Sequence, residues 1–333
     1  MEDKEADDSV HMEQVTGPHT AILCNQINGY KEFLHVGPER VFLPSFYANW
    51  HSKYGRFPVY QDDVWIVTYP KSGTTWTQEM VWCLMKDPKS PEASHELMKR
   101  FPFFEYDSLI PPDSVIPGVS RDNPMQPGMT WRILQELEVP RVIKSHLPKE
   151  LLPKQFWDVR PKVVYVSRDP RDVCVSFYYH YVKLQGYSGT FDQFVHLFLH
   201  DTISYSPIWR HILNFWKMRH EDHILFIRYE DMKQDMSAIV RQVAGFLGQV
   251  VDEEQVAWIT QHCSFPEMSN NPAVNNETFV SAPTDAAKGL KFMRKGEIGD
   301  WRNHLTEAQE KVFKTWTLNN LDGSDFPYYQ DYD

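Results

Sequence analysis

The sequence predicts an α/β fold: a single domain with a central, mostly parallel sheet, helices on both faces, and a P-loop-like anion-binding loop at the end of one strand. Three observations carry this. Four short runs are continuously apolar and β-rich, as in strands buried on both faces. Between them fall longer stretches with apolar residues three and four apart, the pattern of helices packed on such a sheet. One strand passes through Lys71-Ser72-Gly73-Thr74-Thr75 straight into a helix.

The strands are expected over 64–69, 141–145, 162–167 and 223–229, and the helices over 74–85, 171–184, 191–199, 206–218 and 236–247. Residues 1–20 are acidic and polar without periodicity, which predicts a flexible tail and leaves 21–333 as the domain. Pro111, Pro112, Pro117, Gly118, Pro124, Pro127 and Gly128 argue against regular structure over 107–130, and so long a loop in a compact domain reads as a lid or binding loop. A second irregular segment, 264–291, is rich in Asn, Pro and Ala.

A chain of 333 residues with 42% apolar and 14% aromatic content supports a sizeable core. Its 34 basic and 45 acidic residues give a net charge of -11, which opposes general attraction to nucleic acid or an anionic membrane. An anionic ligand must therefore meet locally concentrated positive charge. Cys24, Cys83, Cys174 and Cys263 form no CxxC pair and read as reduced thiols. The N-terminus is acidic where a signal peptide is basic and apolar, and no run approaches the ~18 apolar residues that span a bilayer. The expected compartment is the cytoplasm.

At the 68–76 junction the amides of a helix first turn meet an anion, Gly73 permits close approach, Ser72, Thr74 and Thr75 add hydroxyls, and Lys71 adds charge. A capped turn alone would use some of these residues, but their coincidence at one strand-to-helix junction points to phosphate. The order also matters. A nucleoside-triphosphatase loop reads GxxxxGK[ST], with its hydroxyl after the Lys to hold magnesium, and a second strand usually ends in Asp. Here Lys71 precedes Ser-Gly-Thr-Thr, and the strand over 162–167 ends in Arg168, so no metal ligand set is expected.

Arg168, with Ser176 in the following helix, suits a second phosphate, and Phe292-Met293-Arg294-Lys295-Gly296 offers two cations and a Gly in a loop. The strand over 141–145 delivers His146 beside Lys144 at the carboxyl edge of the sheet, where a His suits a general base. Most of the 14 His residues need no such role; position singles this one out. Phe101 to Tyr106, with Ile110, Val115, Ile116 and Met125, forms either core or the wall of an apolar pocket.

TYPKSGTTW at 68–76, KSHLP at 144–148, RDPRDVCVSFYY at 168–179, YEDM at 229–232, SFPEM at 264–268 and RKGEIGDW at 294–301 together resemble the successive signatures of the cytosolic sulfotransferase family. The resemblance implies transfer of a sulfuryl group from 3'-phosphoadenosine 5'-phosphosulfate (PAPS), releasing adenosine 3',5'-bisphosphate (PAP), with no metal required. It implies that Lys71, Ser72, Gly73, Thr74, Thr75 and Trp76 hold the 5'-phosphosulfate, with Trp76 against the adenine. Arg168, Ser176, Arg294, Lys295 and Gly296 would take the 3'-phosphate. Tyr229 and Phe265 would complete the adenine site, with Cys263, Ser264, Met268, Phe292 and Met293 around them.

By the same resemblance, His146 deprotonates the acceptor hydroxyl while Lys71 and Lys144 stabilise the transferring group. Phe103 and Tyr106 gate a small, hydrophobic alcohol or phenol. The chain departs from the family at Cys263, where Thr is common, and at Tyr106, where Phe is commoner. The family's dimer motif KxxxTVxxxE is matched only in part over 302–311, leaving a homodimer open. Two other readings stand beside transfer: a retinol-dehydratase-like relative that eliminates the sulfated intermediate, and a non-catalytic nucleotide- or lipophile-binding homologue.

Overall fold

The computed structural model describes residues 10–114, 116, 119–277 and 287–327. Three strands near the N-terminus, β1 (Met12–Gln14), β2 (Phe33–Val36) and β3 (Val41–Pro44), form a small antiparallel sheet. Four more, β4 (Val64–Thr68), β5 (Val142–Ser145), β6 (Lys162–Ser167) and β7 (Ile224–Arg228), make the central parallel sheet in the order β5-β4-β6-β7.

Strand alternation explains why the runs are apolar throughout. Trp65, Val67, Ile143, Val163 and Tyr165 face one core, shared with Phe177 and Tyr181 of the helix Pro170–Gln185 and with Ile212 and Phe215 of the helix Ile208–Lys217. Their neighbours Val64, Ile66, Val142, Val164 and Val166 face a second core. That core contains Met80 and Val81 of the helix Thr74–Met85 and Val240 and Val243 of Met236–Leu247. Both faces are covered, so neither strand face tolerates polarity. The helix after β4 lies on one face and the helix after β6 on the other. The chain thus parts at the carboxyl ends of two adjacent strands, where ligands bind in open α/β sheets.

The four central strands and five helices fall within two residues of the sequence expectation. Two segments do not. The described part of the expected tail over 1–20 is structured: β1 pairs with β2, a helix covers Pro18–Gln26, and Val10, Met12 and Val15 pack on the first core. A three-residue strand carries too little periodicity to read, because its partner supplies the pairing. Residues 1–9 lie outside those described. In the segment 264–291, a short helix occupies Phe265–Asn270 with Pro266 in its first turn, and 278–286 lie outside the described residues. The loop after Asp107 keeps its irregular course until the helix Met129–Glu136; Val115, Pro117 and Gly118 lie outside the description. Among the described residues no helix is long and apolar enough to cross a membrane.

Candidate functional site

The loop after β4 is shaped by two residues of left-handed backbone, Lys71 at φ 69° and Gly73 at φ 109°. The helix then starts at Thr74 with no acidic residue in its first turn, leaving the first-turn amides without helical partners. A Cβ on Gly73 would lie 2.8 Å from Cδ2 of Tyr229, so the glycine is needed for its backbone angle and for the ring behind it. The Ser72 hydroxyl and the Trp76 indole N–H are buried and have no partner among the described residues. We expect Gly73→Ala to weaken PAP binding tenfold or more, measured by calorimetry, with the unfolding temperature as the control on folding.

The other cationic segments are locked to this loop. Arg168 lies over the Tyr229 ring at 4.2 Å and donates to the carbonyls of Lys71, at 3.3 Å, and Glu297, at 2.8 Å. The neighbouring Glu230 accepts from the Asp169 amide at 2.9 Å. Tyr229 and Glu230 therefore fix the turn that carries Arg168. Asp172 accepts from the amides of Gly299, at 2.7 Å, and Trp301, at 3.0 Å, tying the start of the Pro170–Gln185 helix to the C-terminal loop. In that loop Asp300 receives Arg294 and, at 2.5 Å, Lys295. Lys295, Asn303 and Arg294 hold the Asp300 carboxyl well below the usual range against its burial. A Cβ on Gly296 would lie 2.4 Å from the Phe265 ring, so here again glycine admits an aromatic.

His146 follows β5. Its Nδ1 lies 2.8 Å from the Thr68 carbonyl, which can only accept, so the proton is on Nδ1 and the lone pair on Nε2. The Thr68 hydroxyl in turn meets Thr74 Oγ1 at 2.7 Å, joining His146 to the start of the loop helix. Burial, and then the Lys144 charge, push the imidazole well below its ordinary value, so it stays neutral at physiological pH. Its backbone is held by groups absent from the sequence expectation. Buried Glu105 accepts from the His146 amide at 2.7 Å, Ser145 Oγ at 2.8 Å and Tyr205 OH at 3.0 Å. His211 Nε2 donates to the His146 carbonyl at 3.0 Å, and Tyr165 OH meets His211 Nδ1 at 2.8 Å.

All of this converges on one cavity of about 370 Å³. Lys71, Gly73, Thr74, Thr75, Trp76, Arg168, Ser176, Tyr229, Cys263, Phe265, Met268, Phe292, Met293, Arg294 and Gly296 line one part of it, and Phe103, Tyr106, Lys144 and His146 another. Lys295 lines an adjoining cavity of about 50 Å³ together with Lys71, Arg168 and Arg294. Ser72 and Ser264 lie behind the wall, each with a buried hydroxyl that has no partner among the described residues. Lys71 Nζ sits 4.3 Å above the Phe292 ring and Lys144 Nζ 4.1 Å above Phe103. Burial, followed by Lys144, Arg168 and Arg294, lowers Lys71 to about 7, and burial lowers Lys144 to about 8.

His180 is a further residue that the sequence expectation missed; it lines both cavities, and its Nδ1 has no partner among the described residues. Ile110, Ile116 and Met125 bring the long loop onto the apolar part. That loop is closed on itself: Asp107 accepts from the amides of Gly128, at 2.7 Å, and Trp131, at 2.8 Å.

Lys71, Lys144, Arg168 and Arg294 thus line one cavity with a neutral His146 whose proton is on Nδ1. The sulfotransferase domain profile matches residues 61–325, and the chain belongs to the sulfotransferase family. It is a PAPS-dependent sulfotransferase. The firefly (Photinus pyralis) luciferin sulfotransferase is 33% identical over 304 residues, covering 89% of this chain and 81% of that protein. Human (Homo sapiens) sulfotransferase 1E1 is 33% identical over 292 residues, covering 87% and 93%. Among solved structures, retinol dehydratase in complex with androsterone and inactive cofactor PAP superposes with a TM-score of 0.85 at 26% identity, covering 96% of this chain and 98% of that one.

Proposed function

We propose that this sulfotransferase acts on a hydroxyl of a small hydrophobic alcohol or phenol, with His146 as general base and Lys71 and Lys144 as the groups that stabilise the transferring charge. The observation that carries this is the His146 Nδ1 contact to the Thr68 carbonyl. It leaves Nε2 as the proton acceptor on a ring tied, through Thr68 and Thr74, to the loop at 71–76. Phe103, Tyr106, Ile110 and Met125 supply an apolar wall suited to such an acceptor.

On this reading Lys71 to Trp76 hold the 5' end of the donor, and Arg168, Ser176, Arg294, Lys295 and Gly296 hold its 3'-phosphate. Trp76, Tyr229 and Phe265 enclose the adenine, beside Cys263, Ser264, Met268, Phe292 and Met293. The partnerless donors of Ser72, Trp76 and Ser264 support that fit. The donor supplies the sulfuryl group; the protein's residues orient it, accept the acceptor's proton at His146 Nε2 and hold the developing negative charge at Lys71 and Lys144. The four cysteines are unpaired, in keeping with the cytosol as the working compartment.

Labelled PAPS incubated with a panel of phenols, alcohols and amines tests the reading, with turnover of at least one apolar hydroxylated acceptor as the expected result. Failure on all of them would sink it. The overlay with retinol dehydratase over 96% of this chain favours one second reading, elimination of the sulfated intermediate. Product mass separates the two, since an ester gains the sulfuryl group and a dehydrated product loses water.

The lysines set the pH dependence. Both carry depressed values, so positive charge is present below about 7 to 8 and lost as the pH rises through that range. Bound phosphosulfate favours the charged forms. The expected result is a donor KM that rises above pH 8 while kcat at saturation stays flat, read from initial rates between pH 6 and pH 9.

A further inference from the structure

Three imidazoles that the transfer chemistry does not use gather where the helix Pro18–Gln26 meets the helix Phe191–Leu199. His19 belongs to the first, and His196 and His200 stand one turn apart on and just beyond the second. Their ring centroids are 4.8 Å (His19 to His196), 4.4 Å (His19 to His200) and 4.2 Å (His196 to His200) apart. One ring nitrogen from each lies within 4.8 Å of the others.

We propose that His19, His196 and His200 bind one divalent transition-metal ion, with Zn²⁺ the natural occupant, and that the ion clasps the N-terminal helix to the helix Phe191–Leu199. Imidazole is a ligand of choice for Zn²⁺ and its borderline neighbours, and three protein ligands leave one tetrahedral position to water. Zn–N bonds of about 2.05 Å put ligand nitrogens about 3.4 Å apart in a tetrahedron. The nitrogens now lie within 4.8 Å of one another, and His196 and His200 are exposed, so an ion would draw the three side chains together.

One of the three already makes the hydrogen bond of a ligand. His200 Nδ1 lies 2.7 Å from the His196 carbonyl, which fixes the proton on Nδ1 and frees Nε2. Metal-bound imidazoles are characteristically held in this way. The other cluster of comparable spacing, Glu79, Cys83 and His262, differs. There Glu79 is already paired with buried Arg100 at 2.5 Å and with His262 at 2.7 Å, so a dication would face a guanidinium.

The clasp bears on the cavity. Beyond His19 the chain is tied to the end of the Pro170–Gln185 helix, with Ser188 N donating to the Gln26 carbonyl at 2.9 Å and Asn28 N to that of Gln185 at 3.3 Å. It then supplies Tyr30 to the cavity wall. An ion at the triad braces this wall from outside.

Metal-free protein titrated with Zn²⁺ in a calorimeter tests the site, with Co²⁺ absorption as a check on tetrahedral geometry. One ion per chain is expected, with affinity lowered roughly tenfold or more in His19→Ala and in His196→Ala. At 100 times Kd the wild-type unfolding temperature should rise by roughly 4 °C, and the variants' should not. Unchanged PAP affinity in both variants shows that they are folded. The proposal is overturned by the absence of stoichiometric binding, by binding that survives both His variants, or by binding lost in Cys83→Ser instead.

Discussion

His146→Ala should lower kcat by ~10³-fold at saturating donor and acceptor, within the ~10² to 10⁴ range that a positioned general base contributes. PAP affinity should change little, because Thr68 keeps its contact to Thr74 at 2.7 Å and the loop retains its anchor. Single-turnover rates with labelled donor, beside calorimetry with PAP, separate the two quantities. The imidazole is neutral over the whole physiological range, so the wild-type rate should show no acid limb near pH 6.5. A variant that retained normal kcat would remove His146 from the reaction and leave the free lone pair without a role.

Lys71→Met should cost ~10²- to 10³-fold in kcat, the scale on which one preorganised charge stabilises a transition state. It differs from the His146 variant in a second readout, since donor KM should rise as well. Lys71 shares the cavity with Lys144, Arg168 and Arg294, and its ammonium is brought to about 7 by burial and by those charges. A bound anion relieves that stress, so binding and catalysis are coupled through this residue. Lys71→Arg should not restore the rate. The ammonium is a compact point charge above Phe292 at 4.3 Å, and a planar guanidinium fork does not reproduce it there. A Lys71→Met enzyme with unchanged kcat would show that the charge acts elsewhere.

The parallel sheet was legible because each central strand is buried on both faces, which leaves an unbroken apolar run in the sequence. The candidate site was legible where chemistry and position coincide in one short segment. Lys71 to Trp76 is such a segment, and so is Lys144 to His146 at the end of β5. Glu105 and His211 were not, although they hold the backbone of His146. Each meets it only through the fold, Glu105 being 41 residues away and His211 65. Glu105 does stand between Phe103 and Tyr106, and a carboxylate inside an aromatic run was the signal that could have marked it.

The reasons for the spacing of the other motifs also lie only in three dimensions. Asp300 is needed where it is because it holds Arg294 and Lys295, and Glu230 because it pins Asp169 beside Arg168. The first strand stayed hidden because three residues do not establish a period, and its hydrogen bonds depend on β2. Cys263 illustrates the opposite case, a departure visible in the sequence that lies in the cavity wall with Phe265 and Met268.

We propose that Lys71, Arg168, Arg294 and Lys295 form a site for two separated phosphates on one nucleoside. Calorimetric titration of the protein with PAP and with AMP, without added metal, tests it most directly. PAP should bind at least 100-fold more tightly than AMP, and Arg294→Ala should remove most of that difference while leaving AMP binding as it was. Equal affinity for PAP and AMP, or tighter binding of magnesium-ATP than of PAP, would contradict it.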